Sequence, residues 1–501
     1  MNDNRKKEKI FNHDALKWES TVSSHTNLGE LLVLENESIR SSLIRINDNG
    51  KNSLFVIDEE KHLKGIITDG DIRRLLIDGV KLSESISNYY NRNCVYGYYN
   101  SRKSELNKLF KEGIHFVPLI DEEFKVVDYI EFQNDFHIPV AEPYLNGNEY
   151  RYLTDVITST WISSKGAYID RFEKQFADYV GCQYGVATCN GTVALHLALT
   201  AMGIGQGDEV IVPNLTFAAT INSVLFCGAT PVLVDVEEDS WCISPEEIRK
   251  AITSKTKAIV PVHIYGQPCN METINEIARD NGLFVVEDCA EAHGAEFDGR
   301  KVGSIGDVGC FSFFGNKVIT TGEGGICVTN DKNVYEKMKI LRDHGMSKSK
   351  RYYHEVVGFN YRMTNMQAAI GCAQLEQIES ILDWRRKLED KYFEKMGTIP
   401  LVKLQNRSID KTKKIPWLIS ILVPEEKRSF ITEKLLYYGI ETRDFFITLS
   451  DMKIYQKYKF SDTNSKKLSR CGINLPTNNK VDDNVIELIT KIIREVIDSR
   501  G

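Results

Sequence analysis

The sequence predicts an α/β protein: a mostly parallel sheet covered by helices, a small C-terminal α+β domain, and a separate α+β unit in front. Three observations predict this. From about residue 184, short apolar runs alternate with helical stretches. Those runs are apolar on both faces, as strands with helices packed on each side must be. The first 135 residues differ: a strand–turn–strand pattern is used there twice.

Taken in order, residues 1–19 (beginning MNDNRKKEKIF) are polar, lack the apolar core of a signal peptide and read as a tail. Residues 20–135 contain SLFVIDEEKHLKGIITDGDIRRLL and a weaker echo, HFVPLIDEEFKVVDYIEF. Each is an extended run, an Asp-Glu-Glu turn and a second extended run. Residues 136–150, with Pro139, Pro143 and Gly147, read as a linker. Over 151–380, YGVATC, DEVIVP, TPVLVDV, KAIVPVHI and LFVVED read as strands. GTVALHLALTAMGI and TFAATINSVLFCG between them have the apolar spacing of helices. QLEQIESILDWRRKLEDKYFEKM reads as one long amphipathic helix leading into the small domain, 381–501.

A chain of 501 residues is too long for one core. With 63 basic and 70 acidic residues the formal charge is −7, so no basic face for nucleic acid is implied. No apolar run is long enough to span a bilayer. The 11 cysteines are scattered, form no C-x-x-C pair and sit mostly in apolar patterns. Reduced, buried thiols in a cytoplasmic protein explain them better than disulfides or a metal site.

Three features fall where strands end. In CNGTVALHLAL a strand stops at Cys189, and Asn190-Gly191-Thr192 opens a helix, whose free N–H groups suit a phosphate. These are also ordinary capping residues, and no G-x-G-x-x-G follows any strand, which disfavours a dinucleotide oxidoreductase. In LFVVEDCAEAHG, Glu287 and Asp288 end a buried strand, with Glu291 and His293 beyond. A carboxylate there needs a partner; the spacing matches no metal pattern, and a protonated ring nitrogen would suit Asp288. In FSFFGNKVITTGEGG, Lys317 stands on a glycine-flanked turn after an aromatic run. An amine held stiffly and partly desolvated can act as a nucleophile toward a carbonyl. Phosphate cradle, ring-nitrogen carboxylate and fixed lysine together are what pyridoxal phosphate requires.

Residues from about 137 to 501 resemble the DegT/DnrJ family of sugar-nucleotide aminotransferases, of fold type I. The likeness runs in order through STWISSKGAYIDRFEKQFA, NGTVALHLAL, GDEVIVPNLTFAAT, ATPVLVDV, HIYGQPCNM, EDCAEAHGA, FSFFGNKVITTGEGG and GFNYRMTNMQAAIG. The resemblance implies that Lys317 joins the cofactor aldehyde and moves the proton between cofactor and sugar carbons. It implies Asp288 at the pyridine nitrogen, Glu291 (Gln in many relatives) near the ring hydroxyl, and Phe217 on the ring face. Gly191, Thr192, Val193 and Ser312 would hold the phosphate. Asn360 would reach the phosphate of a neighbouring subunit's cofactor, implying a homodimer or higher oligomer. L-glutamate would be the donor and a nucleotide-linked 4-keto-6-deoxy sugar the acceptor, with Ser163 and Ser164 touching that substrate. Relatives carry a histidine after ETR; this chain reads ETRDFFITLSDMKIY, and no histidine follows His354. His196 and His293 read as core or helix histidines.

Residues 20–135 resemble a pair of cystathionine-β-synthase-type (CBS) modules. In that family a Thr-x-x-Asp element, here Thr68 to Asp71, can hold the ribose of an adenine nucleotide. The second repeat reads VVDYIEFQND at this point and lacks the element. A packing module is the plainer alternative to a nucleotide sensor. For the whole chain, the alternative to an enzyme is a ligand-sensing regulator that keeps the cofactor fold without turnover.

Overall fold

The computed structural model describes residues 28–101, 106, 109, 114, 116–131, 137–347 and 349–499; the tail read over 1–19 lies outside the described residues. The chain forms two compact units, 1–137 and 138–501.

In the first unit, β1 (Leu32–Leu34) runs parallel to β2 (Ser53–Ile57), which is antiparallel to β3 (Leu63–Thr68). β4 (Gly97–Tyr98), β5 (Phe116–Ile120) and β6 (Val126–Glu131) repeat that order and those directions. The duplication reaches single residues. Register shifts at Val56/Ile57 in one hairpin and at Leu119/Ile120 in the other. Each Asp-Glu-Glu turn closes on a left-handed residue, Lys61 (φ 71) or Phe124 (φ 67). In each the aspartate accepts the amide four positions on, His62 to Asp58 at 2.8 Å and Lys125 to Asp121 at 2.9 Å. The two turns also bond reciprocally: Leu63 N–H donates to Phe124 O (3.1 Å) and Val126 N–H to Lys61 O (3.0 Å).

The second unit is organised by a sheet of seven strands. These are β7 (Tyr184–Thr188), β8 (Glu209–Pro213), β9 (Thr230–Val234), β10 (Thr256–Ile259), β11 (Phe284–Asp288) and, after a small antiparallel pair β12 (Glu296–Phe297) and β13 (Arg300–Lys301), β14 (Val308–Ser312) and β15 (Gly325–Thr329). Their order is β7-β15-β14-β11-β10-β8-β9, and only β15 runs against the rest. The expected mostly parallel α/β architecture is borne out. Successive strand residues enter opposite cores: Ile211, Ile259, Val285 and Phe311 join one, Val210, Ala258, Val286 and Cys310 the other. Two buried faces explain why the strands are apolar throughout rather than alternating.

The expected single helix from Gln374 is instead two, Asn365–Glu376 and Ile378–Met396. Gln377 breaks it with φ −109 and ψ 2, and its side chain lies where a Cβ on Gly147 would stand. Beyond it come β16 (Lys403–Leu404), β17 (Thr412–Lys413, paired with β12), β18 (Ile419–Leu422), β19 (Arg443–Asp444) and β20 (Gly472–Leu475). β16, β18, β20 and β19 form an antiparallel sheet in that order. The segment read as a linker is bonded into this unit from its start. Ile138 N–H donates to Gly439 O (2.9 Å), Glu441 N–H to Ile138 O (2.9 Å) and Thr477 N–H to Val140 O (2.8 Å). All eleven cysteines are free thiols. Among the described residues no helix is long and apolar enough to cross a membrane.

Candidate active site

The site lies where β7, β8, β11 and β14 end, the edge at which parallel sheets present ligand-binding loops. After β14 the chain reverses into β15. Phe313 N–H donates to Gly324 O (2.8 Å), Thr321 N–H to Phe313 O (2.9 Å) and Lys317 N–H to Phe314 O (2.9 Å). The Trp417 indole N–H holds Asn316 O at 2.7 Å. Gly322 takes φ +81, and a Cβ on Gly324 would lie 2.1 Å from Thr321 Oγ1, so the turn demands both glycines. It sets Lys317 Nζ 3.6 Å from Glu291 Oε1 and 3.8 Å from the centre of the Trp417 ring. Burial pulls the lysine below its ordinary pKa, opposed by the charges of Glu291 and Asp288. A buried amine with a lowered pKa spends more time as the neutral nucleophile.

Glu291 is buried and accepts the Tyr265 N–H at 2.9 Å. Burial pushes its carboxyl up to about 7, against the pull of Lys317. Asp288, at the end of β11, accepts the Thr220 hydroxyl (2.9 Å) and the Ala290 N–H (3.2 Å). Burial raises it above the usual aspartate value. A buried carboxylate whose hydrogen bonds come from neutral donors gains most from a cationic N–H.

Glu287, one residue earlier, has a different task. It accepts N–H groups from Gly303 (2.8 Å), Ile305 (2.8 Å) and Gly306 (2.6 Å), and lies 3.1 Å from His263 Nε2. His263 Nδ1 accepts the Cys269 N–H at 3.0 Å, so Nε2 carries the proton toward Glu287. Burial alone would raise Glu287, but His263 and these amides together hold it below the ordinary value. His263, Glu287 and Cys289 are ligand types in a tight group, yet the histidine and carboxylate are already committed to bracing the loop.

The cradle forms at the helix Gly191–Ala201. Asn190 Oδ1 takes the Val193 N–H at 3.0 Å, leaving Gly191 and Thr192 N–H without intrahelical partners. A Cβ on Gly191 would meet Ser312 Cβ at 2.7 Å, so the absence of a side chain lets the end of β14 close on the helix terminus. Phe217 is 59% exposed, its ring 5.9 Å from that of Phe446. Asn360 lies in a segment bonded to the end of β7 (Cys189 N–H to Tyr361 O, 2.8 Å), its side chain exposed and accepting from Arg362 Nε at 3.1 Å. Ser163 and Ser164 are on a loop anchored by Asn365, whose N–H donates to Ser163 O at 2.6 Å; neither hydroxyl bonds to the Lys317 group. His196 Nδ1 lies 3.0 Å from the Tyr361 hydroxyl, and His293 is fully buried among Phe176, Phe311 and Phe313.

In the first unit, Thr68 and Asp71 form a complete capping box: Asp71 Oδ2 accepts the Thr68 N–H (2.9 Å) and hydroxyl (2.7 Å), and Asp71 N–H donates to Thr68 Oγ1 (3.2 Å). Arg74 takes the other Asp71 oxygen at 2.6 Å.

Local sequence did not reveal Thr220, Tyr265 or Trp417, which hold Asp288, Glu291 and Lys317. The Thr at the end of TFAAT was the one signal available, as a hydroxyl opening a helix near a strand end.

The residues present fit pyridoxal phosphate: unpaired helix amides closed by Gly191 against Ser312, a buried carboxylate hydrogen-bonded by neutral donors, and a desolvated fixed amine. Comparison with known proteins agrees. Residues 143–494 match the model of the DegT/DnrJ/EryC1/StrS aminotransferase family, and residues 21–78 match the CBS domain. GDP-perosamine synthase of Escherichia coli O157:H7 is 44% identical over 364 residues, 72% of this chain and 98% of that one. The same enzyme of Caulobacter vibrioides is 45% identical over 373 residues, again 72% and 98%. A putative sugar aminotransferase from Streptococcus pneumoniae, solved in its PLP form, superposes with a TM-score of 0.68 at 27% identity, covering 72% of this chain and 99% of that one. The chain belongs to the DegT/DnrJ/EryC1/StrS family and is a pyridoxal-phosphate-dependent aminotransferase of fold type I, with a CBS domain at its N-terminus.

Proposed function

We propose that the protein moves an amino group from L-glutamate to a 4-keto-6-deoxy sugar carried on a nucleoside diphosphate, as a step toward a surface polysaccharide or glycan. The observation that carries the reading is Lys317: a fixed, buried amine beside Glu291, with Asp288 at the end of the next strand of the sheet. The high identity to two GDP-perosamine synthases supports the acceptor class.

Gly191 and Thr192 amides and the Ser312 hydroxyl would hold the phosphate; Val193, its N–H already taken by Asn190, would contribute shape. Asp288 would face the ring nitrogen, Phe217 the ring face and Glu291 the ring hydroxyl. When bound, the cofactor supplies an electron sink for the carbon that loses its proton. Lys317 carries that proton, which a neutral amine accepts and an ammonium returns. Glu291, whose carboxyl burial pushes up to about 7, lies 3.6 Å from Lys317 Nζ and would help hold the amine in place. The exposed Asn360 is proposed to reach the cofactor phosphate of a second copy, making a homodimer the active unit. Ser163 and Ser164 are proposed as substrate contacts.

The test is the visible absorbance of the protein loaded with pyridoxal phosphate. Glutamate is expected to bleach the band of the natural protein, and Lys317→Ala is expected to shift the band and abolish turnover. A band indifferent to glutamate would leave the ligand-sensing reading instead. Separately, an adenine nucleotide is proposed at Thr68 and Asp71, displacing the exposed Arg74. Calorimetric titration with ATP, ADP and AMP that gives no heat removes that proposal.

A further inference from the structure

We infer that the Trp417 ring is the seat of Lys317 in its ammonium form, and that Arg385 is a positioning residue acting on the lysine through Trp417. This deepens the transamination reading above and rests on it for the role of Lys317.

Trp417 meets the lysine twice. Its ring centre lies 3.8 Å from Lys317 Nζ, and its indole N–H holds the carbonyl of the preceding residue, Asn316, at 2.7 Å. The loop after β10 fixes the indole in turn. Tyr265 lies nearly parallel to it (18°, centroids 6.2 Å apart). Ile415 N–H donates to Gly266 O (3.2 Å) and Trp417 N–H to Tyr265 O (3.4 Å). Gly266 takes φ +92, and a Cβ there would lie 1.7 Å from Ile415 O, so only glycine permits this approach.

A second hold comes from the helix Ile378–Met396. Arg385 Nη1 donates to Trp417 O (2.9 Å) and Pro416 O (3.3 Å). One turn further on, Glu389 takes Lys414 Nζ at 2.6 Å, both side chains buried. That charge is paired, whereas the Arg385 guanidinium is not. Arg385 is 4% exposed, and its Nε has no hydrogen-bond partner among the described residues. Burial lowers its pKa to about 10, with no carboxylate opposing. A buried cation held by carbonyls alone costs stability, so stability does not explain its presence. What it does is fix the two peptide groups that carry the indole.

A proton carrier needs both of its charge states within reach. Burial favours the neutral amine of Lys317. An ammonium over an aromatic face is attracted to it, most strongly by tryptophan, so the seat opposes burial and keeps the charged form available. The charged and titratable groups around Lys317 are Glu291, Asp288 and His293 from the end of β11 onward, and Arg443 of β19. The two carboxylates favour the ammonium and Arg443 opposes it, while burial holds His293 neutral. The ring therefore acts in the same direction as Glu291, and its bond to Asn316 keeps seat and amine in register.

The experiment uses the full-length protein freed of cofactor, in natural form and as Trp417→Phe, Trp417→Leu, Arg385→Met and the Trp417→Leu/Arg385→Met double variant. Methionine fills the space of the arginine without its buried charge, so that variant does not endanger the fold. Acetic anhydride labels only the neutral amine, and mass spectrometry of the Lys317 peptide gives its rate at pH 7.5 relative to pH 10.5. Loss of the seat is expected to raise that ratio about threefold or more in Trp417→Leu and Arg385→Met, and by less in Trp417→Phe. The double variant is expected to match Trp417→Leu, since no ring is left for Arg385 to place. Greater access alone would raise both rates and leave the ratio unchanged. An unchanged or lower ratio in both Trp417 variants overturns the seat. An unchanged or lower ratio in Arg385→Met overturns its positioning role, because losing a nearby cation by charge alone favours the ammonium. The natural protein is then reloaded with pyridoxal phosphate and given glutamate. If the band bleaches while no variant moves the ratio, the seat falls and the transamination stands. If the ratios move as expected and the band does not bleach, the transamination falls and the seat stands.

Discussion

His293 shows at the scale of one residue what burial does without a partner. Its ring is closed in by Phe176, Phe311 and Phe313, and neither nitrogen has a hydrogen-bond partner. Burial pushes its pKa down to about 3, with the charges of Lys317 and Arg385 adding to the effect. The folded pKa lies below the ordinary 6.5, so the folded state holds this ring neutral. Stability from this source is full above pH 6.5 and is lost as pH falls toward 3. At pH 5 the loss amounts to about 2 kcal/mol. His293→Leu is therefore expected to lose less stability than the natural protein between pH 7.5 and 5, measured by urea unfolding at both. Parallel curves would show that the ring is not the titrating group. Lys317, Asp288 and Gly191 stood out in the sequence because each sits at the junction of an apolar run and a glycine-rich or acidic turn. Trp417 could not, since its contact with the Lys317 turn spans 101 positions and nothing near it in sequence differs from a core tryptophan.

At the scale of elements, the cradle depends on how closely β15 approaches the start of the Gly191–Ala201 helix. A Cβ on Gly325 would lie 2.4 Å from Asn190 O and 2.7 Å from Thr188 Oγ1. The backbone oxygen cannot swing aside, so Gly325→Ala must push Asn190 and the helix cap away from Ser312. The expected result is a loss of about 1–3 kcal/mol in stability and a tenfold or greater fall in affinity for pyridoxal phosphate, followed by fluorescence titration. Gly315 is the control, because a Cβ there meets nothing nearer than Gly322 O at 4.0 Å. Gly315→Ala should change stability by less than about 0.5 kcal/mol; equal losses in the two variants would mean that crowding is not the cause. The strands were legible because two cores on opposite faces make every position apolar. The long helix after Gln374 was not: no glycine or proline marks its break at Gln377, whose side chain lies beside Gly147, a tertiary neighbour with no local signature. Thr68 and Asp71 were read in the sequence as a nucleotide contact; the structure shows the pair capping the helix that follows, a role the reading did not consider.

For the molecule as a whole, where one unit stops and the next begins decides what can be removed. Pro139, Pro143 and Gly147 gave the segment 136–150 the composition of a linker, and composition cannot register bonds made to residues three hundred positions away. Ile138 exchanges backbone bonds with Gly439 and Glu441, Val140 N–H reaches Glu441 Oε2 at 3.2 Å, and both side chains are buried in the second unit. Burying an isoleucine and a valine contributes about 3–6 kcal/mol together, before the hydrogen bonds are counted. Residues 138–501 should therefore fold alone, unfold in one cooperative transition of their own and bind pyridoxal phosphate. A fragment beginning at residue 148 lacks these anchors, and its urea midpoint should fall well below that of the 138–501 fragment. If both fragments unfold at the same denaturant concentration, the 138–140 anchors contribute nothing and the segment is a tether after all. If 138–501 fails to fold while the full chain succeeds, the second unit depends on the first, and the CBS module is then required for folding the enzyme as well as for any regulation.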